Sequence, residues 1–243
     1  MGHFEDANSL VKRSGRDLEG LTTAYQRSLS LQVVSSELLI DIKNLMENLR
    51  SALDYAAHGL FNSYGSSTKA DPKVYFPYAI ASQSLTEFRN ANRIDICIPG
   101  IAATRPDVVL KLEGYQHFSG KQWRWVPIFM ELNNSNKHQQ LTPQIRRQAR
   151  ELRMTFPGGA GITMGEGAKI VIGGGASITS GGATIRSGQE ISVDKPPVMT
   201  GGGNSEVITW VSFHFASNGE AVVPFLVECV DGVKKIVKEL STI

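Results

Sequence analysis

Between Ser28 and Tyr64 apolar and polar positions follow one another with helical spacing. Leu31, Val34, Leu38, Ile42, Leu45, Leu49, Leu53, Ala56 and Leu60 recur every three or four residues, the period of one helix face. The stretch contains no Pro, and its single Gly is Gly59. The pattern predicts a long helix on which the rest of the chain is organised. Met46, Ala57 and Phe61 widen the apolar stripe toward Arg50 and Asp54, enough to meet two sets of neighbours. Residues 4–25 carry a similar stripe of Phe4, Ala7, Val11, Leu18, Leu21 and Tyr25. Gly15 and Gly20 weaken that helix by about 1 kcal/mol each relative to Ala. Only a short turn can separate the two helices, so they should form an antiparallel pair.

Beyond Tyr64 the period is lost. Asp71-Pro72 and Phe76-Pro77 disfavour helix before each proline, so 65–83 reads as a break. Ser84 followed by Glu87 is a capping box and starts a short helix. Pro99-Gly100 marks a turn, and Pro106 suits the first turn of another short helix. WRWVPIFMELNNSNKHQQL is a stronger helix, with Ile128, Phe129 and Leu132 inward and Asn133 and Lys137 together on one face. PQIRRQARELRMTF brings Arg146, Arg147, Arg150 and Arg153 into a basic patch, whether as helix or as strand. A solvated face partly neutralised by Glu151 explains it more simply than phosphate binding does.

At Pro157 the composition shifts to Gly, Ser, Thr and Ile. The units ITMGEGAK, IVIGGGAS, ITSGGAT and IRSGQEI are each a short β-like run followed by Gly. They suit hairpins or small solenoid rungs, and no GK[ST] follows to make a phosphate loop. EVITWVSFHFAS alternates as a strand, with AVVPFLV as a candidate partner strand. LVECVDGVKKIVKEL is an amphipathic helix whose buried face is Leu226, Cys229, Val230, Val233, Ile236, Val237 and Leu240. The fold class expected is α+β, with a helical part over 1–155, a Gly-rich antiparallel part over 156–243, and the last helix packing back on the helical part. The two parts could form one continuous domain.

Composition narrows the function classes. Hydrophobic residues at 41% and charged residues at 20% describe a globular chain, and a net charge of +2 is too small to argue for nucleic acid by itself. No apolar run approaches the roughly 20 residues that cross a bilayer, so no membrane partner is expected. The opening MGHFEDANSLVKRSGRD has no apolar signal core, which favours a cytoplasmic location. Cys97 and Cys229, in apolar surroundings and outside any CxxC pair, read as buried free thiols. His3, His58, His117, His138 and His214 are scattered without metal-ligand spacing, so neither a metal nor another cofactor is expected.

Arg50, Asp54, Lys137 and His138 are the strongest candidates for chemistry. An Asp orienting His138 as general base, with Arg50 and Lys137 stabilising developing charge, could cleave a phosphodiester. The competing structural reading, which we favour, has Asp54 paired with Arg50 or Lys137 to lock two helices together.

The run NLRSALDYAAH, then Phe76-Pro77, Pro99-Gly100 and ELNNSNKHQQL, resembles a widespread group of uncharacterised bacterial proteins. In that group an LRSALD helix precedes FP and PGI segments, an LNxxDKHR-like helix and a β-rich C-terminal part. The resemblance spans most of the chain and implies no particular activity. Its matching positions are Arg50, Ser51, Asp54, Lys137 and His138, while Asn136 and Gln139 depart from the group's Asp and Arg. A looser similarity is to HEPN-type helical domains, some of which are metal-independent ribonucleases of defence or toxin systems. Arg50 and His58 would carry that chemistry, at a spacing longer than is usual there.

Three functions are compatible with these residues. The first, and the one favoured, is a non-enzymatic binding or interaction module, as a homo-oligomer or with a protein partner. The second is a HEPN-like ribonuclease acting on RNA through Arg50, Asp54, His138 and His58. The third is a phosphate-ligand or nucleotide binder that uses an Arg50/Lys137 pocket with Asn133 beside it.

Overall fold

The computed structural model describes residues 2–31, 34–138, 144–173, 176–186 and 190–243, without the side chains of 29–31, 136–138, 146 and 208–211. The chain is α+β and divides into two compact units, one formed by Met1–Ile145 with His214–Ile243 and the other by Arg146–Phe213.

The first unit is helical. Helix α1 (His3–Leu31) and helix α2 (Ser36–Tyr64) are the two longest elements. The single helix expected over 28–64 is therefore divided. Its first residues belong to α1, and Ser35 caps α2 by accepting the backbone N–H of Leu38 at 3.1 Å. The pair is antiparallel. His3, at the start of α1, stacks on His58 near the end of α2, and residues from Leu10 to Leu21 border a groove with Asp41–Asn48. The α2 stripe from Leu38 to Leu60 is buried along its whole length.

Between α2 and the next long helix come α3 (Leu85–Asn90), α4 (Arg93–Cys97), α5 (Ile101–Thr104) and α6 (Pro106–Gly114). The capping box at α3 is reciprocal: Ser84 Oγ accepts the Glu87 N–H, and Glu87 Oε2 accepts the Ser84 N–H at 2.8 Å. Helix α7 (Trp125–His138) buries Trp125, Phe129, Met130 and Leu132. Helix α8 (Val222–Leu240) packs on α1, α2 and α7 with all seven expected apolar residues buried. The candidate partner strand AVVPFLV is instead the beginning of α8. Pro224 falls in its first turn, where a missing N–H costs no helical hydrogen bond. This docking places 214–243 with the helices, so the compact units differ from the expected division at residue 155.

The second unit holds most of the β structure. β1 (Gln144–Thr155) pairs antiparallel with β2 (Gly161–Gly165). The short strands β3 (Ile170–Val171), β4 (Ser177–Ser180), β5 (Ala183–Arg186) and β6 (Glu190–Ile191) form the antiparallel pairs β3–β6 and β4–β5. β7 (Asn204–Phe215) completes a three-stranded sheet in the order β2-β1-β7. Within the described residues the repeat units thus form short antiparallel pairs, the β4–β5 hairpin and the β3–β6 pair around it, not solenoid rungs. Gly181 and Gly182, at φ +57° and +86°, supply the two left-handed positions of a tight β4–β5 turn. β1 alternates cleanly near its end: Leu152 and Met154 face a core shared with Met164, Ile185 and Ile191, while Glu151 and Arg153 face out.

Candidate functional site

The site begins with one helical turn of α2. Residues four apart share a face, so Arg50 and Asp54 lie side by side, with Nε 3.2 Å from Oδ2. Their side chains are only 12% and 24% exposed. Asp54 Oδ1 accepts the backbone N–H of Phe76 at 2.9 Å. Both carboxylate oxygens are therefore engaged, one by a helix neighbour and one by the proline-broken segment. That second bond ties residues 65–83 to α2. Arg50 also reaches α7, where Nη1 lies against Met130 Sδ. Its guanidinium carbon is 5.3 Å from the centre of the Tyr78 ring.

Two further segments close the cleft. Ser66 N–H donates to Pro99 O at 2.8 Å, and Tyr75 N–H donates to Cys97 O at 3.1 Å. The 66–75 segment is thereby sewn to the end of α4. Asp95 Oδ1 accepts the N–H groups of Gly100 and Ala102, at 3.0 and 3.3 Å, and fixes the turn after that helix. Asn92, at φ +46°, occupies the left-handed region that Asn tolerates and begins α4 with Arg93. The Arg93 guanidinium carbon sits 6.0 Å from the Tyr78 ring centre, so two cations attend one aromatic ring. Asn134 Nδ2 donates to the Tyr78 hydroxyl at 3.3 Å, holding the ring from α7.

These groups line a cleft of about 1230 Å³ within the helical unit. Its described walls carry four cations, Arg50, Lys69, Lys73 and Arg93, and three carboxylates, Asp54, Asp71 and Asp95. Asp54 neutralises Arg50. Arg93 has no carboxylate within ion-pair distance among the described residues, and its guanidinium stands over the Tyr78 ring. Cys97 also lines the wall. Burial pushes its thiol up from the ordinary range, against the opposing pull of Arg93 and Arg50. A thiol so placed is a weak nucleophile.

The candidate residues are thus partly brought together. Arg50 and Asp54 converge with Phe76, Pro99, Gly100 and Asn134, so all four sequence segments behind the resemblance reach one cleft. From the fourth segment, Asn133 does not line the cleft: it is 1% exposed, and its Nδ2 donates to Phe129 O at 2.9 Å. Its neighbour Asn134 faces the cleft instead. Lys137 and His138 end α7, and their side chains lie outside the described residues. His58 is directed elsewhere. Its ring stacks on His3 at 5.5 Å and 28°, against α1, because two helical turns of four residues from Arg50 rotate past the cleft. Ser51 is exposed on α2. In the basic patch, Arg150 pairs with Asp194, Arg153 lies 3.3 Å from Glu151, and Arg147 is exposed; the side chain of Arg146 lies outside the described residues.

Tyr78, Arg93 and Asn134 were not singled out by the sequence. The available signals were weak: an aromatic after Phe76-Pro77, an arginine after a turn-forming Asn, and the second of two adjacent asparagines. Among the described residues no group of three His, Cys, Asp or Glu could hold a metal ion, and no helix is long and apolar enough to cross a membrane. Both cysteines are free and buried. Comparison with protein-family models, with curated proteins and with solved structures finds no significant match to this chain.

Proposed function

We propose that this protein is a non-enzymatic binding module whose site is the α2–α4 cleft, and that the cleft takes a small anionic ligand. The observation that carries this reading is the division of labour between two arginines. Arg50 is committed to Asp54, whereas Arg93 stands on the same cleft without a carboxylate partner. A half-buried guanidinium without an anion is a ready counterion for a phosphate or carboxylate, which it can grip through two parallel N–H donors. Lys69 and Lys73 on the same wall add attraction at longer range.

The chemistry of the lining supports binding over catalysis. Asp54 and Asp95 are occupied by hydrogen bonds, the Cys97 thiol is kept protonated by burial, and the described lining contains no histidine. Asp71 and Asp95 Oδ2 keep open lone pairs on the wall, but the described lining sets no histidine or activated thiol beside them to complete an acid–base pair.

Calorimetric titration with inorganic phosphate and pyrophosphate tests the reading. Both should bind, pyrophosphate more tightly, and Arg93→Ala should weaken each by about tenfold, the share of one charge-assisted contact. Absence of binding, or affinity unchanged in Arg93→Ala, overturns it. An RNA pool incubated with the protein in EDTA should stay intact; cleavage would replace this reading with the ribonuclease one.

A further inference from the structure

The cleft is larger and more apolar than a bare anion requires. Ligand pockets of about 300–1,000 Å³ already enclose drug-sized molecules, and this one measures about 1230 Å³. Two large apolar side chains on its wall are left open: Tyr75 is 46% exposed and Ile96 59% exposed. The backbone bond from Tyr75 N–H to Cys97 O holds their two segments side by side. Tyr75 is thus positioned by its backbone while its ring has no ring contact among the described residues. Tyr78, by contrast, is engaged by Arg50, Arg93 and Asn134. The hydroxyl residues Ser66, Ser67 and Thr68 form a polar stretch of the same wall. The cleft therefore offers a free cation, an open aromatic face with an aliphatic neighbour, and a polar edge.

We propose that the occupant is a mononucleotide, with its phosphate on Arg93 and its base against Tyr75 and Ile96. This rests on the anion-cleft reading above and adds a ring to the anion. An aromatic side chain on a sheet or coil wall stacks on any base, because every base has a π-face. Apolar contact with Ile96 covers the base edge and removes apolar surface from water. The hydroxyls of Ser66, Ser67 and Thr68 suit a ribose, whose own hydroxyls both donate and accept.

The test is titration calorimetry of the full chain with inorganic phosphate, adenosine, AMP, GMP and UMP at one ionic strength. At least one nucleotide should bind at least about fivefold more tightly than inorganic phosphate, the low end of one base–aromatic stack. Tyr75→Ala should remove that advantage while leaving phosphate affinity unchanged, and Tyr75→Phe should retain it. Arg93→Ala should weaken phosphate and nucleotide alike. Thermal midpoints of the variants show that they fold, which the exposure of Tyr75 favours. If phosphate binds through Arg93 but no nucleotide binds more tightly, the ring is wrong and the anion cleft stands. If nothing binds, both fall. A 5′-phosphorylated RNA hexamer binding at least tenfold more tightly than UMP would make the occupant a strand and overturn the mononucleotide.

Discussion

Replacing Asp54 by alanine removes two bonds at once, and the two losses can be sized separately. The backbone N–H of Phe76, a residue 1% exposed, loses its acceptor. A buried donor left unmade costs about 1–3 kcal/mol. Arg50 loses the carboxylate beside it. Removing one partner of a fully buried pair costs about 3–5 kcal/mol, and an exposed pair costs at most about 1. With side chains 12% and 24% exposed and an open cleft alongside, this pair belongs between those limits, at about 1–2 kcal/mol. The expected total is about 2–4 kcal/mol, because water entering from the cleft recovers part of each loss. Asp54→Asn keeps an oxygen for Phe76 and loses only the charge, so it should cost about 1–2 kcal/mol.

Urea unfolding followed by far-ultraviolet circular dichroism reads these differences. The double variant Arg50→Ala/Asp54→Ala closes the cycle and should return a coupling of about 1 kcal/mol or more. If Asp54→Ala unfolds within about 0.5 kcal/mol of wild type, the range of neutral surface changes, then Asp54 does not staple the Phe76 segment to α2. A residue that costs so little to lose would have to be explained by chemistry instead.

Four other outcomes follow from the geometry. Asp54→Asn should bind inorganic phosphate more tightly than wild type by calorimetry, because it frees a second guanidinium in the cleft. Gly232→Ala should lower the urea midpoint although Ala is the better helix former by about 1 kcal/mol: a Cβ there runs into the buried Trp125 ring, and overpacking costs about 1–3 kcal/mol. Gly100→Ala should destabilise by at least about 2 kcal/mol and abolish phosphate binding, since φ +81° disfavours any side chain and the added carbon meets the Ser66 backbone. Tyr115 donates to Glu239 at 2.8 Å, and burial together with that bond raises its hydroxyl well above the ordinary phenol range. Its folded-state pKa is raised, so its contribution is complete below about pH 10 and declines as pH rises beyond the unfolded value. Tyr115→Phe should therefore flatten the alkaline fall in stability measured by urea unfolding between pH 9 and about 11.

The helical unit was largely legible because its elements follow local rules. The stripe on α2, the capping box at Ser84 and the buried face of α8 are each written in contiguous residues, and each formed where the pattern placed it. The errors lie at junctions. A continuous apolar period hid the division at Ser35, since a cap is a single hydroxyl with no effect on periodicity. The apolar run before Phe225 looked like a strand, since a short apolar run has no period of its own. The helix it begins packs on α1 and α2. The glycine repeat left hairpins and rungs open, because both use the same short runs and turns. The choice depends on cross-strand partners such as Ile178 and Ile185, which sequence spacing does not name.

The site was legible only where it is helical. Arg50 and Asp54 could be found because their spacing of four guarantees a shared face whatever surrounds them. His58 entered only through the looser resemblance, and the same arithmetic removes it: a second step of four carries the side chain some 40° further round the helix, which is enough to leave the cleft and meet His3. Tyr78 and Arg93 obey no such period. Tyr78 enters the cleft because Asp54 captures the Phe76 N–H two residues earlier, and Arg93 because Asn92 turns the chain just before it. Each position depends on one long-range bond or one unusual backbone angle. The open cation of the proposed binding site is therefore carried by a short helix and a turn, while the paired cation sits on the long helix. In the proposed site the α2 side is electrically satisfied, so an anionic ligand would be selected by the side assembled through the Phe76, Pro99 and Asp95 bonds.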